Sequence, residues 1–159
     1  MKNITTKLCK FIATLGPVGS LPMPGTMGTL CALPLLIGLR KLELHFSYVD
    51  EGVLVGLLFL ASVWIIDQAL IELGRQERDP SQIVLDEVIG FFVTMLFLPL
   101  TPLTIVLAFV YFRFFDIVKP FGIDRLEAIE GGWGIALDDV AAAIWARILL
   151  DITLFIISQ

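Results

Sequence analysis

The sequence predicts an all-α fold: a polytopic membrane bundle of about five apolar helices, with room for some of them to be re-entrant. Three observations predict it. Hydrophobic residues make up 57% of the 159 residues and charged residues 17%, against roughly 45–50% and about 25% in ordinary globular domains. Mean hydropathy is +0.90. The apolar residues are also gathered into long runs, and runs of roughly 17–25 residues suit a membrane-spanning helix. A soluble helical bundle with a very large core would share the composition, but the recurrence of the runs favours the membrane. The length suits a single domain over residues 1–159.

The elements follow in order. Residues 1–27 are mixed, with turn-prone Gly16-Pro17 and Pro22-Met23-Pro24-Gly25. Met27 to Leu39 is apolar, short for a full span, and contains Pro34. After polar Arg40 to Gly52, Val53 to Leu73 is the clearest span. Gly74 to Gln82 is charged, and Ile83 to Leu98 is apolar except for Asp86, Glu87 and Thr94. Pro99-Leu100-Thr101-Pro102 is a tight uncharged turn before Leu103 to Phe115. Asp116 to Gly134 is polar and Gly-rich, and Ile135 to Ile157 is the last long run.

Five crossings would put residues 1–27, 74–82 and 116–134 on one face. That face carries Lys2, Lys7, Lys10, Arg75, Arg78, Lys119 and Arg125, while the other carries only Arg40 and Lys41. The positive-inside tendency makes the first face cytoplasmic. Net charge is −5, which argues against nucleic acid as a partner. Cys9 and Cys31 form no CxxC, so they point to neither a disulfide nor zinc. His45 is the single histidine and reads as an ordinary loop residue.

The same topology gathers the charged residues. Asp86-Glu87 start the third run, Arg113, Asp116 and Lys119 end the fourth, and Asp138-Asp139 start the fifth. Ionised groups beside apolar spans are costly and mark functional sites by default. Five carboxylates at one edge need cations, and Mg2+ takes hard oxygen ligands together with a substrate phosphate. Arg113, Asp116 and Lys119 fall three apart, on one helix face. Two cations beside a carboxylate suit a phosphate held next to a metal. Pro120 is expected to end that helix. Gly131-Gly132-Trp133-Gly134 is expected to precede the last helix and put Asp138 and Asp139 in its first turn, where the dipole favours negative charge. Asp at a helix start is more often a cap, and Arg113 and Lys119 could equally be snorkelling interface residues. Arg147 and Asp151 read as an internal ion pair, Asp67 is a candidate partner of Arg147 across helices, and Ala141, Ala142, Ala143 and Ala146 read as close-packing residues.

Four segments then appear in order: Pro24-Gly25-Thr26-Met27-Gly28-Thr29, Asp79-Pro80-Ser81-Gln82-Ile83-Val84-Leu85-Asp86-Glu87-Val88-Ile89-Gly90, Phe112-Arg113-Phe114-Phe115-Asp116-Ile117-Val118-Lys119-Pro120, and Gly131-Gly132-Trp133-Gly134-Ile135-Ala136-Leu137-Asp138-Asp139-Val140. Together, from about Gly16 to Ala146, the chain resembles the phosphatidylglycerophosphatase A family. The resemblance implies a Mg2+-dependent lipid phosphatase of the bacterial inner membrane that acts on phosphatidylglycerophosphate and yields phosphatidylglycerol. On that reading Asp86, Glu87, Asp138 and Asp139 hold one or two magnesium ions. Arg113, Lys119 and Thr26 hold the phosphate, and Asp116 is a further ligand or a general base. Phe121-Gly122-Ile123 and Ala142-Ala143 depart from the family's pattern at positions that set loop shape and packing. The rival reading is a small cation-binding membrane transporter or channel, which would string its charges along a pore instead of gathering them at one edge.

Overall fold

The structure, a computed structural model, describes residues 3–42, 48–74 and 80–159. Among these residues every regular element is helical: α1 (Ile4–Ala13), α2 (Pro24–Leu42), α3 (Tyr48–Leu73), α4 (Leu85–Met95), α5 (Pro102–Val118) and α6 (Gly132–Ile157), with short 3-10 stretches at Val18–Ser20 and Pro120–Ala128. The all-α expectation therefore holds. His45, Arg75 and Arg78 lie outside the described residues.

Local chemistry sets the helix ends. Pro24 opens α2, where a missing N–H costs nothing and the fixed φ is already helical. Thr101 caps α5 by accepting from Thr104 N at 3.2 Å. At the other end of α5, Lys119 is left-handed (φ 45°) and Pro120 follows, so the helix stops where the proline predicts. The Lys and Thr residues of α1 mask it in a search for apolar runs. Its Cys9 and Ala13 are nonetheless buried, and it packs along α3.

α4 is the centre of the bundle. It contacts α2, α3, α5 and α6, and Val88, Phe91, Phe92 and Met95 are buried around it. A helix apolar on every side belongs in a core. Ala142, Ala143 and Ala146 of α6 are fully buried in the same core, as close-packing residues should be. At Gly90 an added Cβ would run into the Phe112 ring and come within 3.3 Å of the Asp139 carbonyl, so this glycine lets α5 and α6 close on α4. The far end of α4 is held by arginines. Arg40 donates to Met95 O at 2.7 Å and to Leu98 O, and pairs with Glu51 at 2.6 Å. Arg147 donates to Leu96 O and pairs with Asp151 at 2.9 Å.

Three expectations need correction. Only α3 and α6, at 26 residues each, are long and apolar enough to cross a membrane among the described residues, so the count of about five is not supported. The reason is length. The 11 residues of α4 reach only about 16 Å at roughly 1.5 Å per residue, against a hydrocarbon core of about 30 Å. Second, α6 begins at Gly132, so the glycine-rich segment is its first turn and Asp138 and Asp139 stand beyond the reach of its N-terminal dipole. Third, Asp67 does not reach for Arg147. It accepts from Gly132 N at 2.9 Å and so caps α6, while the expected Arg147–Asp151 pair is present.

Candidate active site

The first turn of α4 carries Asp86 and Glu87 into the polar end of the bundle. α6 brings Asp139 to meet them. Asp86, Glu87 and Asp139 each offer an oxygen, and the three lie within 4.8 Å of one another. Asp86 is 5% exposed and Asp139 3%. Glu87 Oε2 and Asp139 Oδ2 are buried without a hydrogen-bond partner. Burial pushes the Glu87 carboxyl up to about 7, with the Asp116 charge adding to the shift.

α5 supplies the cations. Arg113 Nη1 lies 2.6 Å from Asp116 Oδ2 and 3.9 Å from Glu87 Oε1, which ties the third helix to the cluster. The left-handed turn at Lys119 ends α5, and Lys119 Nζ meets Asp138 Oδ2 at 2.5 Å. The structure thus brings all of the sequence-predicted charged residues to one end, but it divides them. Asp86, Glu87 and Asp139 form one group, Arg113 and Asp116 a second, and Lys119 and Asp138 a third. Asp138 faces the lysine and is not part of the three-carboxylate group.

α2 closes the site. An added Cβ at Gly25 would collide with Glu87 Oε1 and lie 3.0 Å from Arg113 Nη2, so any larger residue there would have to push the ends of these two site side chains aside. The first α2 hydrogen bond runs from Met27 N to Met23 O at 3.1 Å, which leaves the Gly25 and Thr26 amides ahead of the helical ladder. Thr26 therefore sits at the α2 N-terminus, next in sequence to Gly25, whose backbone approaches Arg113, a setting that favours anions. Gly25 and the capping Asp67 were not expected in these roles. Pro24-Gly25 at a helix start was the available signal for the first; nothing in the sequence marks the second.

The donor set fits a hard divalent cation. It consists of carboxylate oxygens, two of them buried and unpartnered, in a group whose mutual repulsion a cation would relieve. Asp86, Glu87 and Asp139 are the residues that would hold it.

Comparison with known proteins shows the family. A family model described as phosphatidylglycerophosphatase A matches residues 11–154. The chain is 36% identical to phosphatidylglycerophosphatase A of Haemophilus influenzae, over 81% of this chain and 77% of that one. It is 34% identical to phosphatidylglycerophosphatase A of Escherichia coli, over 77% and 69%. It is also 34% identical, over 84% and 85%, to a Bacteroides thetaiotaomicron protein whose name proposes a phosphatidylinositol-3-phosphatase. No solved structure matches the chain. The helical fold, the acid and arginine cluster and these relatives define the class: a hydrolase of phospholipid metabolism. The chain belongs to the phosphatidylglycerophosphatase A family, and its activity is that of a phosphatidylglycerophosphatase. The two apolar helices and the relatives together mark it as membrane-associated.

Proposed function

We propose that the chain hydrolyses the terminal phosphate monoester of phosphatidylglycerophosphate in a Mg2+-dependent reaction, giving phosphatidylglycerol and phosphate. The observation that carries this reading is the three-carboxylate group of Asp86, Glu87 and Asp139 set against Arg113 and the start of α2. Phosphate monoesters hydrolyse very slowly unaided, so a catalyst must stabilise charge and position the reactants. A magnesium ion held by the three carboxylates would supply charge neutralisation and Lewis-acid activation there.

The protein groups do the rest. Arg113 and the Gly25 and Thr26 amides bind the phosphate oxygens, with the guanidinium fork matching two of them. Asp116 fixes that fork through its 2.6 Å contact with Arg113. Asp138 holds Lys119 for a second phosphate contact. Burial of the acids excludes water that would screen these charges. The site lies at the cytoplasmic face of a multi-pass bacterial inner-membrane protein, in keeping with the lysines and arginines that cluster on that side of the sequence. A cation transporter fits less well, because the charges gather at one end of the bundle.

A second reading, hydrolysis of a phosphoinositide monoester, is favoured by the Bacteroides relative. Phosphate release from vesicles holding either phosphatidylglycerophosphate or phosphatidylinositol 3-phosphate, with Mg2+ present, separates the two. At least a tenfold preference for phosphatidylglycerophosphate is expected, and the reverse preference would install the second reading.

A further inference from the structure

Beside the site runs an apolar groove of about 260 Å3 between α2, α4 and α5, lined by Thr29, Leu30, Leu33, Phe91, Val106 and Phe109. Its position relative to the site is regular. On α2, Thr29 lies four residues beyond Gly25; on α4, Phe91 lies four beyond Glu87; on α5, Phe109 lies four before Arg113. On each helix the groove residue is thus one turn, about 6 Å, from a residue of the site. All three steps lead the same way, from the charged end into the apolar body of the bundle. Leu33 and Val106 carry the groove roughly one turn further.

We propose that this groove receives one acyl chain of the lipid whose phosphate is held at the Arg113 and α2 end. The inference rests on the lipid-phosphatase reading and adds to it the part of the substrate that the charged site does not explain. The lining fits this occupant. The only hydroxyl in it, Thr29 Oγ1, donates its proton to Gly25 O at 2.9 Å and belongs to a fully buried residue, so the groove offers no free donor to a polar group. Leu30 and Val106 are 48% and 58% exposed, which opens the groove sideways to a membrane. An engineered apolar cavity of about 150 Å3 takes benzene, so a groove of this size admits a length of one chain and excludes a whole diacyl lipid. The lipid bilayer is as apolar as the groove, so the groove adds little affinity. What it adds is orientation. A chain seated there fixes where its head group falls, one turn away at Arg113.

Two measurements test this in the full chain reconstituted in phosphatidylcholine vesicles. The first compares kcat/KM for dioleoyl phosphatidylglycerophosphate with kcat/KM for its deacylated head group. Leu30→Trp and Val106→Trp fill the groove from its exposed rim, and Val110→Trp, half-exposed on the same helix outside the lining, serves as control. The ratio of long-chain to deacylated activity should fall at least tenfold in both rim variants and hold in the control. The second uses phosphatidylglycerophosphate with a diazirine on one acyl chain, and should label residues 29–33 and 105–109 in preference to Val110. An unchanged activity ratio, or labelling spread evenly around α5, would overturn the groove while leaving the phosphatase reading in place. Labelling confined to the groove in a protein that releases no phosphate would instead support the groove and reject the phosphatase reading.

Discussion

Asp138 and Asp139 show what a single residue's identity does and does not reveal. Both acids were legible as members of a charged cluster, because carboxylates in apolar surroundings are rare and costly. Their division was not legible. Consecutive helical residues point about 100° apart, so one faces Lys119 and the other Asp86 and Glu87 only once α5 and α6 are packed. Different outcomes follow for substitution. Asp86→Asn and Asp139→Asn should each lower turnover about a hundredfold or more, since several kcal/mol of charge stabilisation are at stake at about 1.4 kcal/mol per factor of ten. Their melting temperatures without metal should hold or rise, because mutual repulsion falls. Asp151→Asn should turn over normally, since its partner Arg147 sits at the other end of α4. Steady-state phosphate release and a melting curve in detergent, run on each variant, check all three. Gly25→Ala should cut activity at least as far as Lys119→Ala does, because its Cβ would displace Glu87 and Arg113 together; equal activity with wild type would remove α2 from the site.

At the scale of the element, the apolar runs marked most of the helices and Pro120 marked the end of α5, while Pro24, read as part of a turn, in fact opens α2. α1 stayed hidden because its polar residues break the run, and the start of α6 was misplaced because glycines read as loop. Asp67 offers a capping oxygen from another helix, which no local pattern announces. The centre of the bundle, α4, is held at its far end by Arg40, which donates to Met95 O and Leu98 O. Arg40→Ala should therefore take the arginine donor from Leu98 O and leave Met95 O with only its backbone donor, Leu98 N at 3.1 Å, and cost about 1–3 kcal/mol of stability. Chemical or thermal unfolding of the variant would show it, with activity of the folded fraction retained. A wild-type melting curve would mean that water replaces the arginine.

Across the whole molecule, the membrane class was legible from composition, while the number of crossings was not. Counting apolar runs treats every run as lipid-facing, yet α4 is apolar because it is surrounded by protein. The proposed cytoplasmic facing of the site is open to a labelling test. Gln82 and Asp124 are exposed near the charged end, and Pro99 is exposed near the far one. In a chain without Cys9 and Cys31, cysteines at positions 82 and 124 should both be protected from an impermeant thiol reagent in intact cells, and one at position 99 should be labelled. Labelling at 82 or 124 would place the site on the outer face. Among the described residues α3 and α6, at 26 residues each, are the helices long and apolar enough to serve as the spans of that proposed topology.

The central claim is that the three carboxylates of the site work through a bound divalent cation. It is tested most directly by phosphate release from phosphatidylglycerophosphate by the purified protein, first stripped with EDTA and then supplied with Mg2+. Release should vanish on stripping and return on addition of Mg2+, and the Asp139→Asn protein should fail to recover at the same concentration. Full activity in the metal-free wild-type protein would contradict the claim.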